Sequence, residues 1–435
     1  MTNVCTLANI AALRANVGGA TMPVIIVQGY NTPADGGEGT FVLRTSGTDN
    51  GGTIIVDAGG NPYWRMNAVH LNPRMFGATG NGSTDDTAAL QACINAVQVS
   101  PISRTMELGY GYFETSATLT ITSAIVIEGD GQAGSTIRPT PGIVGIAAST
   151  NSPGIMRDFT VTYITPQSAG LYGITVQSTT AQDASFWKFN NVQVVGANNG
   201  FNLTNIPFFS MRDCVVINAI GDYISVSNPY SIDTGDSSIT GCTFFNFSGT
   251  STGTGINYLS GGGLRISDNK FGNLNYGVGF TYAGNSGSLT PNTAQLLITG
   301  NSFDTMTVEA IVLQRSTNTD LFNSVIVANN LFPDCRFGLN VPMDANGVWL
   351  SELVFTGNTW IDNGAVAYGT GVALQSTQSA TIAGNVLLTS SETGSCAVSI
   401  GATAHNTMVG NNTWEGPGTT IYNVGVNTVI GTNCH

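Results

Sequence analysis

The chain has 435 residues, with 13 basic against 26 acidic side chains, a formal net charge of −13, and only 9% charged residues beside 55 glycines. Hydrophobic residues still make up 42%, so disorder is excluded, and the absence of a basic stripe argues against nucleic acid and against a strongly polyanionic ligand. Lys188 and Lys270 are the only lysines.

The start, MTNVCTLANIAALRANV, lacks the basic n-region and long apolar core of a secretion signal. No apolar run is long enough to insert into a membrane. A soluble product made in the cytoplasm is expected. Residues 1–72 read as a small β-rich N-terminal module. Thr6 to Ala15 predicts a short helix with Leu7, Ile10 and Leu13 on one side. Val24–Val27, Thr40–Arg44 and Thr53–Val56 predict strands between Gly-rich turns.

An amphipathic helix is predicted next, over 84–98. Leu90, Cys93, Ile94 and Val97 share a face, Ser83 or Thr84 can cap it, and Asp85 and Asp86 lie near its positive end. Such a helix suits the open end of a solenoid, whose apolar interior and strand edges need cover. From 73 to the end, a β-solenoid is predicted.

Phe76-Gly77-Ala78-x-Gly80-x-Gly82-x-x-Asp85-Asp86-Thr87-x-Ala89-Leu90-Gln91 resembles the opening motif of the pectate-lyase-like right-handed parallel β-helix proteins, which include rhamnogalacturonases, epimerases and bacteriophage tailspikes. The family commonly has Asp where this chain has Asn81. Upstream, Gln28-Gly29-Tyr30, Asp35 to Phe41 and Asp49 to Gly52 look like the module that precedes the helix in many tailspike-type proteins. The resemblance implies an all-β, right-handed parallel β-helix. It also implies a virion protein of the tail, assembled in an infected host, held to a phage tail or baseplate through its N-terminal module, and homotrimeric.

Gly129-Asp130-Gly131-Gln132-Ala133-Gly134 spells GxGxxG, but no helix pattern follows to receive a phosphate, so a turn is expected. Gly249 to Gly253 spells GxSxG within a Ser/Thr/Gly loop, not at a strand-to-helix elbow. From Cys214 onward a phrase recurs: small residue, Asn or Cys, any residue, bulky apolar residue. The marked positions are 214, 242, 269, 301, 330, 358, 385 and 411, at steps of 26 to 32, the length of one three-stranded coil. Two places later stand Val216, Phe244, Phe271, Phe303, Phe332, Trp360 and Leu387, an inward column. Four places later stand Asn218, Asn246, Asn273, Asp334 and Asp362, a turn column broken by Thr305.

The seven cysteines form no CxxC pair, and Cys214 and Cys242 read as small core residues. His70, His405 and His435 are too scattered for a metal, and no cofactor is expected. Glycoside hydrolysis would need two carboxyl groups, ~5.5 Å apart when configuration is retained and ~6.5–9.5 Å when it is inverted. Asp334, Asp362, Asp213, Asp268, Asp85 and Asp86 already have turn or capping roles. Asp233 and Asp236, in Asn228-Pro229-Tyr230-Ser231-Ile232-Asp233-Thr234-Gly235-Asp236, resemble the Asp-x-x-Asp aspartates of certain tailspike endoglycosidases, with Asp222 in the preceding coil as a third carboxylate. The same residues also spell an ordinary turn. Glu309, beside Gln314 and Arg315, shares Asp222's column three coils on, at ~14 Å. Glu352 is the remaining acidic candidate, near Trp349, which falls outside the inward column and suits a sugar-stacking role; Tyr230 and Arg315 are further candidates for substrate contact.

Three functions fit. The first is a depolymerase that hydrolyses a host cell-surface polysaccharide; the second is a non-catalytic receptor-binding or structural virion protein; the third is a polysaccharide lyase, which the few lysines and scattered arginines disfavour.

Overall fold

The computed structural model describes the chain apart from residues 1–3, 19–20, 67, 179–185, 228–235, 250–251, 261–262, 283–294, 317–320, 362–368, 389–394, 417–418 and 433–435. The chain divides into two compact units, Met1–Ser168 with Asn191–Gln193, and Ala169–Asn190 with Val194–His435.

The first unit opens with β1 (Val4–Leu7), α1 (Ile10–Arg14), β2 (Val24–Val27), β3 (Gly39–Leu43), β4 (Ile54–Val56) and β5 (Pro62–Arg65). They form a five-stranded sheet in the order β1-β2-β3-β5-β4. Ile10, Leu13, Ile25, Val27, Phe41, Ile55 and Tyr63 fill its core. The helix expected from Thr6 starts four residues late, because Val4–Leu7 pairs in parallel with Val24–Val27 and Asn9 caps what remains by accepting from the Ala12 N–H at 2.9 Å. β5 escaped the sequence reading because it begins with proline. The first residue of a strand is one of the few places where a sheet tolerates it.

After the module, Asn81–Asp85 is a strand and α2 spans Thr87–Val99. The start predicted at 84 is therefore three residues early, and neither Ser83 nor Thr84 caps the helix. Asp86 sits at its N-cap but turns away, accepting from the Thr79 and Gly80 N–H groups at 2.7 and 2.9 Å. Asp85 accepts from the Thr87 N–H at 3.0 Å and from the Ser116 hydroxyl at 2.6 Å. The apolar face is as expected: Leu90, Cys93, Ile94 and Val97 are fully buried against the strands that follow. Its polar residues close the strand edge. Gln98 Oε1 accepts from the Thr122 and Ser123 N–H groups, and Gln91 Oε1 from that of Thr120. The GxGxxG stretch is a turn between Ile125–Glu128 and Ser135–Pro139.

In the second unit the coils form a parallel β-helix with three strand positions per coil, the second and third running together in Lys270–Tyr282 and Ser302–Arg315. Ser237–Thr240, Thr243–Phe245 and Thr254–Ser260 make one coil, and each pairs in parallel with its counterpart in the next. The recurring phrase resolves into three requirements. The small residue takes a left-handed backbone conformation: Asp213, Gly241, Asp268, Gly300, Asn329, Gly357, Gly384 and Asn411 have φ between 53° and 69°. From Asp213 to Gly357, Gly alternates with Asp or Asn for a steric reason. A Cβ on Gly241 would stand 2.6 Å from the Asp213 carboxylate, and one on Gly300 2.5 Å from that of Asp268.

The marked Asn is buried and builds a ladder. Nδ2 of Asn269, Asn301, Asn330, Asn358 and Asn385 each donates to Oδ1 of the next rung at 2.9–3.1 Å. The last rung is Asn412, not Asn411, which holds the left-handed place. Inward of the ladder, Phe271 stacks on Phe303 at 4.6 Å and Phe303 on Phe332 at 5.2 Å. In the turn column Asn218, Asn273 and Asp334 are left-handed, and so is Thr305 at φ 59°, a conformation that strains a β-branched residue. Cys214 and Cys242 are core residues.

Candidate functional site

The outer face of the third strands carries an open groove of about 450 Å³, lined in part by Thr254, Asn257, Tyr276, Glu309, Gln314 and Asn340. Register places these side chains. Asn257, Gly279, Val312 and Asn340 follow one another down the coils, and Thr254, Tyr276 and Glu309 form a neighbouring column. Gly279 opens the floor, where any side chain would fill the space between Asn257 and Val312.

Asp222 stands one coil before Thr254 in that second column, since Ile224 pairs with Ile256. The column inferred from sequence is therefore present, with Asp222 and Glu309 three coil steps apart, ~14 Å at the spacing of strands in a sheet. Both carboxyl groups are pushed above the usual carboxylate range, and burial is the main cause in each. At Asp222, hydrogen bonds from Asn257, which donates to Oδ2 at 2.7 Å, and from Thr254 oppose the shift without cancelling it. At Glu309 the opposing groups are Asn340, donating to Oε1 at 2.6 Å, and the Arg336 charge. The groove thus carries amides and hydroxyls along its length and one carboxyl, that of Glu309, while Asp222 stands one coil before Thr254, outside its lining. The two are too far apart to act as one acid/base pair.

The other candidates fall elsewhere. Asp233 and Tyr230 lie outside the described residues. Asp236 is exposed at the start of the strand Ser237–Thr240, with φ 52°. Following the register through Gly263, Gln295 and Ser324 leads from Asp236 to Glu352, so these two share a column on the first strands, four coils or ~19 Å apart. Glu352 accepts from the Ser324 hydroxyl at 3.0 Å and does not join Glu309.

Two expectations are overturned. Trp349 is no exposed platform: its side chain is fully buried and stacks on Tyr282 at 6.3 Å and 14°. Trp349→Ala should lower stability by about 3–5 kcal/mol in denaturant titration while leaving saccharide affinity unchanged. Arg315 is no substrate contact. Strand alternation turns Gln314 out to the groove and Arg315 in, where it holds Asp344 through Nη2 and Nε at 2.8 and 3.1 Å with only 1% of its side chain exposed. Those bonds hold the Asp344 carboxyl below its usual range. Asn257, Asn340 and Tyr276 escaped sequence reasoning because each is unremarkable alone; only register makes them neighbours.

Among the described residues, no three His, Cys, Asp or Glu side chains gather to hold a metal, and no helix is long and apolar enough to cross a membrane.

Residues 6–69 match the family described as the phage tail protein small four-stranded beta-sheet domain. No curated protein matches the chain. Among solved structures, the N-terminal fragment of bacteriophage Phi29 gene product 12 is 15% identical and matches with a TM-score of 0.61 over 83% of this chain and 66% of that one. A tailspike protein double mutant of E. coli bacteriophage HK620 is 12% identical, with a TM-score of 0.57 over 87% and 75%. The enzymatically active domain of bacteriophage CBA120 tailspike protein 2 is 16% identical with a TM-score of 0.48; the match covers 95% of this chain and 53% of that one, so the chain spans about half of that relative's length. The chain therefore carries, at residues 6–69, a segment matching the phage-tail small β-sheet family, and beyond it a parallel β-helix with the fold found in phage tailspikes.

Proposed function

We propose that this chain is a tailspike-type receptor protein of a phage tail that binds a host surface polysaccharide along the groove of its third strands. The observation that carries the reading is the groove itself. In one of its columns hydrogen-bonding side chains, Thr254, Tyr276 and Glu309, recur at the ~4.8 Å coil spacing, which suits an extended polymer of similar units. The groove's carboxyl group, Glu309, shifted toward the neutral form by burial, suits a neutral or weakly acidic glycan. The match at residues 6–69 supports attachment to the tail through the N-terminal module.

Hydrolysis is the second half of the proposal. Glu309 is the group suited to donate a proton to a glycosidic oxygen, because burial favours its protonated form. Asp222 is too distant to be its partner. A second carboxylate supplied by a neighbouring copy in a homotrimer would complete the pair. Binding without cleavage is the competing reading, and the ~14 Å separation within one chain is what favours it.

The test is to incubate the protein with surface polysaccharides from candidate hosts and to follow retention, new reducing ends and absorbance of unsaturated uronate. Retention with new reducing ends and no absorbance is the expected result. Absorbance would mark a lyase, retention alone a binding protein, and no retention by any polysaccharide would overturn the proposal.

A further inference from the structure

The left-handed column that holds Asp236 and Glu352 has an unusual beginning. Lys188 pairs with Ser210 and Ser210 with Ser238, so two places before these residues Phe186, Phe208 and Asp236 stand in register. All three are left-handed, at φ 69°, 57° and 52°. Further down, the described members of the column are Gly263, Gln295, Ser324, Glu352, Ser379, Asn406 and Asn427, every one polar or glycine. From Phe186 onward, among the described residues, only these two coils place a bulky aromatic there, where backbone strain and solvent both oppose it.

Neither ring is core. Phe186 is 59% and Phe208 47% exposed, while the next residue in each case, Trp187 or Phe209, is the one that is buried. The two exposed rings stack on each other, centroids 5.4 Å apart and planes within 16°. Burial of apolar area therefore does not explain them, and packing of the coil does not need them.

We propose that Phe186 and Phe208, with Asp236 one coil on, form a second saccharide-contact site, on the first strands and distinct from the groove. The apolar C–H face of a pyranose ring would lie against the aromatic surface, and the exposed Asp236 carboxylate, ~4.8 Å further along the column, would accept hydrogen bonds from its hydroxyls. Stacking needs an apolar face and the carboxylate needs donors, and a sugar ring offers both. A second copy of the chain fits less well, because pairing the same columns would bring Asp236 and Glu352 toward their own counterparts. The inference shares with the proposed function the binding of a saccharide, but not the place where it binds.

The experiment starts from an array of bacterial surface polysaccharides, and the glycan best retained by the wild-type protein becomes the calorimetric probe. Phe186→Ala with Phe208→Ala should weaken binding at least tenfold. Tryptophan at both positions should keep it. Asparagine at both positions, which tolerates the backbone, should leave the thermal midpoint equal or higher while still losing affinity. The groove pair Asn257→Ala with Asn340→Ala separates the two sites. Loss in the phenylalanine variant alone would uphold this site and remove the groove; loss in the groove variant alone would do the reverse. Unchanged affinity, a lower midpoint with asparagine, an altered oligomer mass in the variant, or no glycan retained by the wild type would each overturn the inference.

Discussion

Asn330→Ala is expected to lower stability by about 3–5 kcal/mol, far more than the loss of one polar side chain from a surface would. Asn330 Oδ1 accepts from the Asn301 N–H at 2.9 Å and from Asn301 Nδ2 at 3.0 Å, while its own Nδ2 donates to the Ile298 carbonyl at 2.9 Å and to Asn358 Oδ1 at 3.0 Å. Alanine removes all four bonds at a position where water has no access, since Asn301, Asn330 and Asn358 are each buried to within 2%. Each orphaned buried group costs ~1–3 kcal/mol; the Asn301 N–H loses its acceptor, whereas Asn301 Nδ2 keeps the Ile266 and Thr299 carbonyls at 3.0 and 3.1 Å. Leucine at 330 would not rescue the loss, because it supplies bulk and no acceptor. Denaturant titration gives the total. Amide exchange should locate it, with protection falling first around 298–301 and 356–358, because each coil of a solenoid leans on its neighbours. A loss below about 1 kcal/mol would show that the ladder is not what holds the coils in register.

The same ladder shows what could be read from the chain and what could not. The period and the inward aromatic column were legible because stacking repeats one chemical demand at every coil; the recurring Asn was legible as a position, but its burial in a ladder was not. The alternation of glycine with Asp or Asn was visible as letters, but its cause, a side chain filling the space over the next coil's Cα, needed coordinates. The slip from Asn412 to Asn411 arose because both neighbours are Asn, and only φ separates the left-handed residue from the buried one.

The site was legible in part. Counting eight places from the marks at 214 and 301 put Asp222 and Glu309 in one column, and register agrees. Arg315 misled because its orientation depends on alternation along the long strand Ser302–Arg315, where the count from the mark drifts at the register shift opposite Leu274 and Tyr276; Trp349 misled because it stands just before the strand Leu350–Thr356, where neither alternation nor the count from the mark gives its direction. Asn257 and Asn340 carry no motif at all. They matter because each donates to a half-buried carboxyl, a relation between residues 31 to 35 positions apart.

Glu309→Gln is expected to abolish cleavage while leaving binding intact, by ~10²–10⁴-fold in rate, the range general acid catalysis supplies. Glutamine keeps the shape and still lies beside Asn340, so the groove retains its lining; what it lacks is a proton to give. The pH dependence follows from the sign of the shift. Burial raises the folded-state pKa of Glu309 above its unfolded value. The proton donor therefore survives to higher pH than an ordinary glutamate would allow, and activity should fall as pH rises through that elevated pKa. Stability obeys the same sign: the contribution is fully present below the unfolded pKa, where both states are protonated, and is lost as pH climbs through the folded one. In the glutamine variant this part of the decline should vanish, leaving a flatter stability profile. Asp222→Asn should flatten the profile too, because Asp222 is shifted in the same direction by burial, but it should leave the cleavage rate near wild type, being ~14 Å from Glu309. The pair of variants thus tests whether Glu309 transfers a proton or, like Asp222, only titrates. Wild-type cleavage by Glu309→Gln, or a rate that rises with pH across the elevated pKa, would take the acid role away from Glu309.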